Sequence, residues 1–238
     1  MIFLLSVVSG GVTSLALSPA GFMAALCAFA LPLSAASTAQ SPFRSALLLW
    51  CGAWGYFSVS LYWLGSALFA GPEIFVWLLP LVCLGFPAFI ALFWAVPGYI
   101  AVKLASTPMM RLVLIILGLG ISEYLRTILF TGFPWNAPAQ IVMASETISQ
   151  SAAYIGQHGL NFVMFMIMGA VVCLYQRRGK AVLFFITPAI LVFSLAGLRS
   201  FEAPPLARLT DGHPQVRLVQ PNVPQYEKWR ADERDGHL

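Results

Sequence analysis

The stretch EYLRTILFTGFPW, positions 123–135, carries a carboxylate and a guanidinium three residues apart inside a run that otherwise reads as membrane. Spacing i, i+3 puts Glu123 and Arg126 on one face of a helix. A lone charge at membrane depth costs a few kcal/mol on insertion scales, so the two are expected to neutralise each other and to face a bundle interior or a watery cavity. Two roles follow: an internal brace, or a contact from Arg126 or Glu123 to a polar lipid headgroup near the membrane face. Trp135 faces a similar choice, between an interfacial belt residue and part of the wall of a lipid-access site.

The other reactive residue types are poorly placed for catalysis. Cys27, Cys51, Cys83 and Cys173 all lie in apolar runs, where a desolvated thiol is a poor nucleophile. His158, His213 and His237 are scattered without ligand spacing, so no metal site is expected. In the C-terminal tail, Asn222 and Gln225 flank Pro224 in a turn, where such side chains commonly cap backbone groups. Trp229 has an amphipathic ring suited to interdomain packing or to a lipid-facing wall. The tail has no cysteine, so a disulfide framework has no support.

The elements that must position these residues are membrane helices. Apolar residues make up 59% of the 238 and charged residues 9%, against roughly half and a quarter in soluble domains. Apolar runs recur as far as position 198, which a single cleaved signal segment does not explain. Punctuation by Ser18–Pro19, Ser41–Pro42, Gly71–Pro72, Thr107–Pro108, the long stretch from Thr131 to Gln157, and Arg177 to Lys180 predicts seven spans, at 2–17, 20–37, 45–69, 74–102, 109–131, 156–175 and 181–198. Helices are required because lipid offers no partner for backbone N–H and C=O groups, and the alternation of barrel strands is absent. The first span begins at Met1 without a charged flank, so a few further residues are expected upstream. Gly10, Gly11, Gly52 and Gly55 are expected to permit close helix packing.

Arg44, Lys103, Arg111, Arg177, Arg178 and Lys180 fall on one side of this arrangement, and the opposite loops carry Glu73 and Glu146. The positive-inside rule puts the basic side in the cytoplasm, with Arg199 as the exception near the other edge. Everything after Leu198 is then extracytoplasmic. From 199 to 238 six basic residues balance six acidic ones. The net charge of +4 therefore belongs to the membrane part and reports topology, which argues against a nucleic-acid partner. Residues 199–214 read as a linker. At 215–238, VRLVQ reads as a strand, PNVPQ as a turn and YEKWRADERDGHL as a helix barely begun. A strand and an unfinished helix bury no core of their own, so a second, incomplete domain is expected to start there.

Several stretches carry a resemblance. Leu17-Ser18-Pro19, WGYFSVSLYW at 54–63, EYLR at 123–126 with TGFPW at 131–135, GLNF at 159–162 and VRLVQPNVPQYEKW at 216–229 together resemble the N-terminal half of bacterial apolipoprotein N-acyltransferases. The resemblance implies an all-α polytopic domain in the bacterial inner membrane, joined to a periplasmic α/β nitrilase-like domain whose first strand lies at 215–238. It implies acyl transfer from a phospholipid to the N-terminal amine of diacylglyceryl-cysteine lipoproteins, without a cofactor. In that chemistry a Cys thiolate takes the acyl chain as a thioester, a Glu is the general base and a Lys supports the oxyanion. That Glu-Lys-Cys triad is expected beyond Leu238, so residues 1–238 alone are expected to be inactive. Glu123, Arg126, Trp135, Asn222, Gln225 and Trp229 are the candidate lipid- or substrate-binding residues. The alternatives are a truncated relative that only binds lipid or lipoprotein, and a transporter or flippase. The last calls for internal repeats and unpaired ionisable residues near the midplane, and neither is found, only the outward-lying Glu123 and Arg126.

Overall fold

The computed structural model describes residues 1–69 and 73–202. Asn222, Gln225, Trp229, the expected strand and most of the expected linker lie outside the described residues.

Within them the chain is predominantly helical and has no strand. Helix α1 (Ile2–Ser14) is followed by a 3₁₀ helix (Met23–Phe29) that runs into α2 (Ala30–Thr38), then α3 (Pro42–Ser60). A second 3₁₀ helix (Tyr62–Phe69) leaves α3 at a 45° bend. Next come a 3₁₀ turn (Glu73–Leu78), a π turn (Leu81–Gly85), α4 (Phe86–Ile90) and α5 (Leu92–Leu104). Helix α6 (Pro108–Arg126), short turns, α7 (Glu146–Ser149), α8 (Ala152–Tyr175) and α9 (Gly179–Glu202) complete it.

Proline and capping chemistry set several boundaries. Pro42 and Pro108 open α3 and α6 at positions whose N–H has no helical partner. The Thr107 hydroxyl accepts a hydrogen bond from the Met110 amide at 3.3 Å. The π turn and α4 interrupt the expected span at 74–102. Indole N–H groups of α3 reach this broken stretch: Trp54 donates to the Leu84 carbonyl at 3.0 Å and Trp50 to the Ala88 carbonyl at 2.9 Å. Irregular backbone at membrane depth needs such partners.

By length and apolarity four helical stretches among the described residues can cross a membrane, Phe75–Leu104, α6, α8 and α9, or five if α3 and its bent continuation count as one. Helix α1 and the Met23–Thr38 stretch are shorter. The outward surface is apolar: on α9 alone Leu183, Phe184, Ile190 and Leu191 are exposed, as suits lipid contact and not water.

The closest helix crossing is made by glycines, as the sequence predicts. A Cβ at Gly10 would collide with the Gly52 carbonyl, and one at Gly55 with the Val7 carbonyl, so α1 and α3 meet backbone to backbone. The core centres on Trp94 of α5, which is fully buried. The rings of Phe29, Tyr56, Phe57 and Phe165 surround it at centroid distances of 5.1–5.3 Å.

Candidate functional site

Helix α6 buries one stripe, Arg111, Leu112, Ile115, Ile116, Leu119 and onward to Ser122, Glu123 and Arg126, which is the 3.6-residue period of a helix packed on one side. The stripe delivers both charges to the interior. Glu123 and Arg126 are each 1% exposed, and the bridge is a fork on a fork: Arg126 Nη2 donates to Glu123 Oε2 at 2.8 Å and Nε to Oε1 at 3.0 Å. The sequence reading of one shared, inward face is met.

A third partner was invisible in the sequence. Trp94 Nε1 donates to Glu123 Oε1 at 2.8 Å, tying the carboxylate to the aromatic core from 29 residues away. On the other side, Arg126 Nη1 donates to the carbonyls of Phe133 at 2.7 Å and Trp135 at 3.0 Å. The guanidinium lies over the Phe57 ring, 5.0 Å from its centroid. Four hydrogen bonds thus occupy Arg126. A buried guanidinium is tolerated when its donors are matched in this way.

The carbonyls that Arg126 holds belong to a sharply reversed loop. Helix α6 stops at Arg126, short of the expected boundary at 131, and the chain beyond it reverses where Phe130, Thr131 and Gly132 take φ of 52°, 71° and 82°. Left-handed backbone is costly for Phe and above all for β-branched Thr. At Gly132 a Cβ would also collide with the Thr127 carbonyl. The loop is fixed from several directions: Phe133 N–H donates to the Arg126 carbonyl at 2.8 Å, Tyr56 OH to the Asn136 carbonyl at 2.9 Å, and Asn136 Nδ2 to the Ser60 carbonyl at 2.6 Å.

Above the pair, Phe86, Phe89, Phe93, Phe130, Phe133 and Arg126 line a cavity of about 170 Å³. Trp135 joins the site through its carbonyl, while its ring is 55% exposed and packs edge-on against Trp63 at 5.8 Å. Asn161, from the GLNF stretch, is buried and accepts the Ala139 amide at 2.8 Å, pinning the next part of the loop to α8. Phe162 of the same stretch packs against Gly120, where a Cβ would strike its ring.

At the other end of α6, Arg111 does what the sequence treated only as a topological signal. Its Nε donates to the Ala105 carbonyl and its Nη1 to the Ala39 carbonyl, both at 2.8 Å. Ala39 and Ala105 end α2 and α5, so one guanidinium caps two helices.

Among the described residues no three His, Cys, Asp or Glu side chains converge. Cys51 and Cys173 are buried, and all four cysteines are unpaired. The clamp holds backbone in place. It presents no free nucleophile or base, because carboxylate and guanidinium are occupied by each other.

Residues 9–170 match the apolipoprotein N-acyltransferase N-terminal domain. Curated relatives bearing the name apolipoprotein N-acyltransferase include one from Rhizobium rhizogenes, 36% identical over 94% of this chain and 44% of its own length. One from Brucella melitensis is 35% identical over 84% and 38%, and one from Rhizobium etli 34% over 96% and 45%. The chain spans less than half the length of these relatives. With the EYLR and TGFPW stretches built into one buried clamp, and similarity running through nearly all of the sequence, the chain belongs to the apolipoprotein N-acyltransferase family.

Proposed function

We propose that these residues are the membrane part of an enzyme that moves an acyl chain from a phospholipid to the N-terminal amine of diacylglyceryl-cysteine lipoproteins. The observation that carries this reading is the similarity over 94% of the chain to a relative named for that activity. The clamp adds a physical reason. Glu123 and Arg126 hold a strained loop over a phenylalanine-lined cavity, at the end of the bundle opposite the basic turn that Arg111 closes. An acyl chain suits such walls.

In this reading all seven apolar segments cross the bacterial inner membrane, the shorter α1 and Met23–Thr38 included. The basic end faces the cytoplasm and the Trp135 end the periplasm. Residues 1–198 form the membrane domain, 199–214 the linker and 215–238 the start of the nitrilase-like domain. Glu123 and Arg126 position the loop that borders the lipid path, Trp135 lines it at the membrane face, and Asn222, Gln225 and Trp229 border the acyl site from the far domain. The thioester chemistry belongs to a Glu-Lys-Cys triad outside these 238 residues, and no cofactor takes part. The thiolate displaces a lysophospholipid, whose oxygen takes up a proton, and the lipoprotein amine then displaces the thiolate and gives up a proton, so an ester becomes an amide through a thioester without a nucleotide.

Two measurements test this. Cells lacking the native protein should accumulate lipoproteins with a free α-amine, read by mass spectrometry of the N-terminal lipopeptide; fully triacylated lipoproteins in those cells refute the assignment. Purified residues 1–238 mixed with phospholipid should form no cysteine thioester, and an acyl adduct on any of the four cysteines would overturn the placement of the chemistry elsewhere.

A further inference from the structure

A second cavity, about 810 Å³, shares no lining residue with the clamp. That volume lies within the ~300–1,000 Å³ of typical small-molecule sites. Gln40, Arg44 and Tyr175 line it at the basic end, and the lining further along the helices is apolar, including Ala28, Leu31 and Val171. Polar head and apolar body are therefore separated along one cavity, with Ser34 and Thr38 on the wall between them.

Among the described residues the charge lining the cavity has one sign. Arg44 is exposed and has no hydrogen bond or ion pair within the described residues, whereas Arg111 nearby is committed to two carbonyls. Among the described side chains the carboxylates are Glu123 and Glu146, and neither lines the cavity. Arg177, Arg178 and Lys180 lie within five residues after Tyr175. A zwitterionic amphiphile would leave this field unanswered; one with net negative charge answers it.

We propose that this cavity is a binding site for a phospholipid with an anionic headgroup, its phosphate at Arg44 and Gln40 and an acyl chain along Leu31 and Val171. The site does not depend on acyl transfer and is separate from the Glu123–Arg126 clamp. Its role is to hold one structural lipid between α2 and the end of α8.

The test is native mass spectrometry of the detergent-purified chain titrated with phosphatidylglycerol or phosphatidylcholine. One phosphatidylglycerol should be retained in preference to phosphatidylcholine. A basic side chain near an anionic lipid surface contributes on the order of 1 kcal/mol, so Arg44→Gln should weaken retention about fivefold, and Arg44→Lys should restore it. Lys180→Gln, on the same face but not lining the cavity, should leave retention unchanged. Equal retention of the two lipids overturns the proposal. So does an Arg44→Gln protein that binds like the parent, or an equal loss in Lys180→Gln, which would assign the lipid to the diffuse field of the basic face.

Discussion

Replacing Arg126 by leucine keeps a side chain of comparable bulk and removes four hydrogen bonds at once. Glu123 would then keep only the Trp94 indole, in a site where 1% of it is exposed. Breaking a buried ion pair by deleting one partner costs about 3–5 kcal/mol. The carbonyls of Phe133 and Trp135 lose their donor too, but those bonds are only partly buried, so water offsets much of that loss. The expected destabilisation is about 4 kcal/mol, a large share of a typical stability of 5–15 kcal/mol. Unfolding in mixed micelles by an SDS titration, followed by tryptophan fluorescence, measures it. The pair argument makes a second demand: Glu123→Leu combined with Arg126→Leu should be more stable than Arg126→Leu alone, because the orphaned carboxylate is gone. An Arg126→Leu protein within about 1 kcal/mol of the parent, or a double variant less stable than the single, refutes the clamp. If the folded variant also fails to acylate lipoproteins as part of the native enzyme, the loop that Arg126 positions is needed for acyl transfer.

Gly55→Ala puts a methyl group into the Val7 carbonyl and should cost about 1–3 kcal/mol by overpacking; the same titration showing no loss means the α1–α3 crossing is looser than described. Arg111→Leu strips donors from the Ala39 and Ala105 carbonyls and should cost about 2–3 kcal/mol, with faster hydrogen exchange in the last turns of α2 and α5; unchanged exchange there refutes the double cap. Trp135→Ala removes a half-exposed ring whose carbonyl, not its side chain, is held by Arg126, so stability should stay within about 0.5–1 kcal/mol of the parent. Acyl transfer by the native enzyme should nevertheless fall, and unchanged transfer removes Trp135 from the lipid path.

Membrane class, the helical element type and the shared face of Glu123 and Arg126 are legible in the chain itself. They depend on composition and on a 3.6-residue period, both local properties. The glycines that let α1 and α3 touch were legible for the same reason, since missing side chains have few uses in an apolar helix. The end of α6 was not. Thr127 to Thr131 continue the apolar run, and hydropathy does not register that Phe130 and Thr131 turn left-handed. That turn holds because Arg126 and Tyr56 donate to the backbone carbonyls beyond it and the Asn136 side chain anchors on the Ser60 carbonyl. Trp94 beneath the carboxylate and Arg111 across two helix ends are likewise decided only in three dimensions. A hydrogen bond needs two groups within about 3 Å, and separations of 29 and 72 residues close only when the helices pack. By itself the sequence determined that two charges must be buried together on α6; the tertiary structure decided what they hold, because buried donors and acceptors take whatever backbone the packing brings to them.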